Sequence, residues 1–117
     1  MPKVMKKHFF TALTLFIFAF AFGQEQAQQP KIEAIGDLFR VTVYYENGQI
    51  MQKGFMTKDN KLHASWESFY PNGNRKCVAT YDQGDKVGVW FYWYMDRKTK
   101  VTYDKNRIVS VEELDLE

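Results

Sequence analysis

Tyr45-Glu46-Asn47-Gly48 and Tyr70-Pro71-Asn72-Gly73 repeat one another, with their glycines 25 residues apart. Lys61 and Lys86 keep the same spacing, and Trp66 and Trp90 lie 24 residues apart. A period of that length marks one supersecondary unit that cannot bury its apolar side alone and has to stack on its neighbours. Asn-Gly between alternating apolar runs is a strong hairpin signal, because a tight turn needs the positive φ values these residues reach. What recurs is packing and turn chemistry rather than reactive groups.

Outward from these turns the chain reads as strands bounded by turn residues. Leu38–Tyr45 sets Phe39, Val41, Val43 and Tyr45 on one face and Arg40 and Thr42 on the other. Gln49–Met56 returns, Lys58-Asp59-Asn60-Lys61 turns, and Leu62–Tyr70 carries Ala64, Trp66 and Tyr70 on one side. Arg75–Tyr81, the turn Asp82-Gln83-Gly84-Asp85 and the aromatic strand Val87–Met95 follow. Asp96–Thr99 and Asp104-Lys105-Asn106 read as turns around a short strand at Val101-Thr102-Tyr103, and Arg107–Val111 adds a last strand. Sequential hairpins with short loops give an all-β antiparallel meander. The third copy is degenerate, with Asp96 where Asn-Gly is expected and no Trp following, as in a terminal capping unit.

The ends bound the rest. Lys3, Lys6 and Lys7 precede an apolar run from Phe9 to Phe22, and Ala21-Phe22-Gly23 offers small residues for cleavage before Gln24. Residues 1–23 are therefore expected to be a signal peptide, since a membrane span needs about 18 or more apolar residues. Of 16 Lys+Arg, three lie before the cut, leaving 13 against 14 Asp+Glu, so the basic excess departs with the signal. That removes the charge argument for nucleic acid. Residues 24–37 read as a Gln-rich linker and lead-in, with Lys31 to Gly36 either one helical turn or extended; 38–111 is the repeat domain and 112–117 an acidic tail expected to fray. Cys77 is the single cysteine, so no intrachain disulfide is available in the exported compartment, and packing of aromatic rings has to take its place.

The registered turns, Lys86-x-Gly88-x-Trp90 after Gly84, and an aromatic four residues past each Trp resemble MORN-repeat variants, specifically the YwqK-type antitoxin-like proteins. The pattern maps onto Tyr45, Asn47, Gly48, Trp66, Tyr70, Asn72, Gly73, Gly84, Gly88 and Trp90, with Ala64 standing where the second copy has Gly88. The resemblance implies an elongated single-layer MORN-like sheet of hairpins with rings stacked between repeats. It also implies protein binding, membrane binding or scaffolding, and an antitoxin-like immunity role fits a cytosolic partner better than an exported chain.

His63, the one histidine after the cut, alternates out of phase with Trp66 and reads as a solvated strand position. One His and one Cys do not make a metal site, which takes three or four converging ligands. Cys77 reads as a small buried hydrophobe. Asp59, Asp82, Asp85 and Asp104 sit in turns, where they cap amides. No βαβ unit or phosphate-cradling glycine motif is present for a nucleotide enzyme. The expectation is a non-catalytic protein without cofactor or metal, secreted or periplasmic, serving as a protein-binding or scaffold module of the envelope. Its candidate surface is Val87–Met95, with Trp90, Tyr92 and Tyr94 on one side and Phe91 and Trp93 on the other, followed by Arg97 and Lys98. Aromatics beside bases also suit anionic lipid headgroups, and exposed edge strands suit self-association.

Overall fold

The computed structural model describes residues 28–116. The expected signal peptide, its cleavage position and the first residues of the linker lie outside the described residues. The described chain forms one sheet of nine antiparallel strands: β1 (Lys31–Ile35), β2 (Leu38–Tyr44), β3 (Ile50–Thr57), β4 (Leu62–Phe69), β5 (Arg75–Asp82), β6 (Asp85–Lys86), β7 (Gly88–Tyr94), β8 (Arg97–Asp104) and β9 (Arg107–Leu114). They pair in chain order, with β6 a two-residue stub on β5. The meander read from the sequence is the fold.

The repeating loops are built alike, though not as two-residue turns. Gly48 N–H donates to Tyr45 O and Tyr45 N–H to Gln49 O, at 3.0 and 2.8 Å. Gly73, Tyr70 and Asn74 repeat that pattern, at 2.8 Å for both bonds. Of each Asn-Gly pair only the glycine takes positive φ, 90° at Gly48 and 94° at Gly73. This is a three-residue loop closed by a left-handed glycine. The asparagine serves differently: the side-chain oxygens of Asn47 and Asn72 accept the backbone N–H two residues on, both at 2.9 Å. Thr57-Lys58-Asp59-Asn60-Lys61 copies the loop with Asn60 in the glycine's place at φ 68°.

The core lies on one face. Val41, Val43, Trp66, Ala79, Trp90 and Val101 are buried, with Met51, Met56, Leu62, Cys77, Tyr81, Tyr92 and Tyr103 packed against them. Each Trp has a small residue beside it on the preceding strand. A methyl added at Gly54 would collide with the Trp66 indole, and continuing the Cys77–Tyr92, Val78–Phe91 register by one residue brings Ala79 beside Trp90. Each indole N–H then donates to the carbonyl just past that small residue: Trp66 to Phe55 O at 2.8 Å, Trp90 to Thr80 O at 3.0 Å. Tyrosines add a second tie between repeats. Tyr45 Oη donates to Phe69 O at 2.7 Å, and Tyr70 Oη donates to Trp93 O. With no second layer described, rings cover rings: Trp90 lies 5.2 Å from Tyr81 and 4.9 Å from Tyr103, centroid to centroid.

Of the two alternatives read for Lys31 to Gly36 the extended one forms: Lys31–Ile35 is a strand paired along β2. Two expectations change. The turn expected over Asp96–Thr99 shrinks to Met95-Asp96, and Arg97–Thr99 belongs to β8, in register with β7. The final strand runs through Glu112 and Glu113 to Leu114, since these residues pair with Lys100, Thr99 and Lys98 rather than fraying.

Ala64 matches Gly88 in backbone as well as in position, with φ 61° against 69°. The left-handed kink is thus imposed by the repeat, and Ala64 adopts it at a steric cost of about 1 kcal/mol. A methyl on Gly88 would meet only Thr80 Cβ, at an ordinary 3.9 Å. Ala64→Gly is therefore expected to stabilise the fold and Gly88→Ala to destabilise it, each by about 1 kcal/mol. Urea unfolding monitored by Trp fluorescence measures both; equal effects of the same sign would refute the shared constraint.

Candidate binding face

The sheet face opposite the core carries a row that crosses every full-length strand: Lys31, Thr42, Lys53, Glu67, Val78, Phe91, Lys100 and Glu112 in successive register. Rings and cations interleave around it. Arg40 lies over Phe55 at 5.7 Å and Lys53 over Phe69 at 6.0 Å, each distance measured to the ring centroid. Arg75 lies over Trp93 at 5.8 Å, and Lys98 Nζ stands over both Phe91, at 4.8 Å, and Trp93, at 5.2 Å. Contacts of this kind are worth about 0.5–1 kcal/mol when exposed. They cover the rings without sealing them.

Glu67 links two of the cations, lying 3.8 Å from Lys53 and 3.5 Å from Arg75. Lys98 has no carboxylate among the ion pairs of the described residues. The centre of the face, around Arg75, Phe91, Trp93 and Lys98, is therefore apolar and positive together. Phe91 and Trp93 are half-buried and tilt against each other, with centroids 6.2 Å apart.

The residues singled out along Val87–Met95 divide between the faces. Trp90 is 4% exposed and Tyr92 packs beside it, its hydroxyl 3.2 Å from that of Tyr103, so both belong to the core. Phe91, Trp93 and Lys98 form the opposite face. Tyr94 and Met95 project at the β7–β8 tip, 66% and 85% exposed, with Arg97 exposed beside them. Of the repeat positions, Tyr45, Asn47, Gly48, Tyr70, Asn72 and Gly73 build the loops and ties, Trp66 fills the core, and Gly84 and Gly88 take the turn and kink conformations at φ 94° and 69°. Arg40, Lys53, Phe55, Phe69 and Arg75 were not anticipated. Their partners lie on neighbouring strands, and the register between β3 and β4 slips between Lys53 and Phe55. Only strand pairing could have brought them together.

The other groups weighed for chemistry are engaged structurally. His63 Nδ1 accepts the Gln83 N–H at 3.0 Å. Thr57 Oγ1 donates to Asp59 at 2.5 Å, and this bond is the largest cause holding the Asp59 carboxyl below its usual range. No group of three or more potential metal-binding side chains occurs among the described residues. Burial pushes the Cys77 thiol up from 9.0 to about 11, against the weaker pull of Lys86 and Lys76, so it is neutral near pH 7 and is no nucleophile there. Desolvation likewise raises Tyr81 to about 12, and raises Tyr92 with help from the Tyr103 hydroxyl.

These groups keep their protons more tightly in the folded chain than in the unfolded one. Stability is then full below pH 9 and falls as pH rises, first between 9 and about 11 through Cys77 and then through the tyrosines. Thermal melts from pH 6 to 11 should show a level Tm up to about pH 9 and a decline above it. Cys77→Ala should delay the onset of that decline, and an unchanged onset would count against thiol burial.

Comparison with protein-family models, curated proteins and solved structures finds no match for this chain.

Proposed function

We propose that the chain is an exported, non-catalytic repeat module that binds an acidic segment of a protein partner on the face centred on Trp93. The observation that carries this reading is Lys98, held over two half-buried rings with no carboxylate of its own among the described residues. The aromatic platform offers the kind of large apolar area enriched where proteins meet, and the cations around it add charge recognition of an acidic segment. Export rests on the N-terminal Lys residues and the apolar run after them. The MORN-like reading rests on the registered turns and on the paired indole and tyrosine ties. The absence of catalysis is inferred from the engagement of Cys77, His63 and the turn carboxylates in packing and hydrogen bonds.

A second reading has its own observation. Met95 and Tyr94 project from the β7–β8 tip beside Arg97, an apolar point with a basic collar that could enter an anionic membrane surface.

The two readings separate experimentally. If the face binds protein, capture of an envelope partner should fall at least tenfold with Trp93→Ala and with Lys98→Glu, weaken with salt, and be unchanged by Met95→Asp. If the tip binds lipid, co-sedimentation with vesicles containing phosphatidylglycerol should be abolished by Met95→Asp and hardly altered by Trp93→Ala. A partner retained by both face variants would refute the first reading.

A further inference from the structure

We infer that a second copy of this chain pairs with β9, edge to edge and antiparallel, so that the two sheets become one. The core row runs Val41, Gly54, Trp66, Ala79, Trp90, Val101 and then Val111, the last in register with Val101. Val101 is 7% exposed, whereas Val111, one strand further on, is 58% exposed and Ile108 60%. The apolar face stops at β9 because no strand follows it among the described residues.

Sheet edges are usually protected by shortness, proline, charged side chains (lysine above all) or bulges. β1, at the other edge, is five residues long, follows Pro30 and begins with Lys31. β9 is eight residues long and has neither proline nor lysine; its three charges lie near its ends, and its one bulge, at Val109, leaves the stretch from Ser110 to Leu114 regular. Its charges also favour itself as partner. Arg107 stands at one end and Glu112 and Glu113 at the other, so antiparallel pairing centred between Val109 and Ser110 sets Arg107 against Glu112 twice and Ile108 against Val111 twice. Parallel pairing would set like against like. A two-fold arrangement of this kind buries the same apolar residues from both copies and closes on itself, whereas β9-to-β1 stacking would continue without end. The surface involved is the edge, so this inference stands apart from the binding face around Trp93.

Sedimentation velocity of the protein purified from cells expressing the full chain, over roughly 1–100 μM, tests it. A reversible dimer is expected. Val111→Lys should weaken it at least tenfold, and since Val111 is more than half exposed, the variant should remain folded by circular dichroism. Arg107→Glu alone should weaken the dimer, and adding Glu112→Arg and Glu113→Arg should restore it. That charge exchange distinguishes antiparallel self-pairing from any contact that merely hides Val111. A monomer throughout the range, a dimer lost with Ile32→Lys but not with Val111→Lys, or failure of the charge exchange to restore pairing would each overturn the inference.

Discussion

Two indoles hold this sheet together, and they do so only because the strand before each offers a residue small enough to lie beside a ring. Trp66 lies over the backbone of Gly54 and Trp90 stands beside Ala79, and the carbonyls one residue on accept their N–H groups. That placement both hides the apolar area and satisfies the ring's one polar atom, so the indole can be nearly fully buried without an orphaned donor. The rest follows from it. The Trp90 ring leaves its outer surface for Tyr81, Tyr92 and Tyr103 to cover, which lets a single layer serve as a core. Lys86 completes the cover, its ammonium 5.2 Å from the centroids of both the Trp90 and the Tyr103 rings.

The period was legible in the sequence because the residues that carry it are chemically conspicuous: Trp, Asn-Gly and Tyr at fixed offsets. Meander topology followed from short loops. The turn type did not, since Asn-Gly serves a two-residue turn and a three-residue loop equally, and the choice is made by where the closing Tyr45–Gln49 bond falls. The small residues beside the indoles also escaped notice. Gly54 and Ala79 are 25 residues apart, as the repeat demands, yet glycine inside a strand and alanine anywhere carry no signal until a ring is known to lie beside them. Ala64 is the converse case. Nothing in its identity signals the left-handed kink, which the repeat imposes regardless because the surrounding ladder fixes φ more firmly than one methyl resists it.

The binding face was half legible for a related reason. Alternation along Val87–Met95 correctly parted Trp90 and Tyr92 from Phe91 and Trp93, but alternation cannot say which set faces the core. The answer came from the neighbours: Trp90 has Ala79 and Val101 beside it, whereas Phe91 is flanked by Val78 and Lys100. Lys98 pairs with Trp93 inside the same hairpin and was legible in the sequence, whereas Arg40, Lys53 and Arg75 belong to other hairpins, reached across strand pairs whose register is shifted by bulges. Such contacts are set by tertiary pairing, and no local pattern encodes them.

A sheet with one face closed by its own rings must keep its other face wet, and the cations over Phe55, Phe69, Phe91 and Trp93 are how it does so. On the proposed reading the same groups set the character of binding. At rest Lys98 shields two rings with a contact worth only about 1 kcal/mol at an exposed site. A carboxylate arriving from a partner competes for that ammonium, and drawing it aside uncovers ring surface at the moment apolar side chains are close enough to occupy it. Arg75 differs, because Glu67 already lies 3.5 Å from it. Recognition should therefore begin at the β8 side, where the charge is free to move, and end against Trp93, where the apolar area lies.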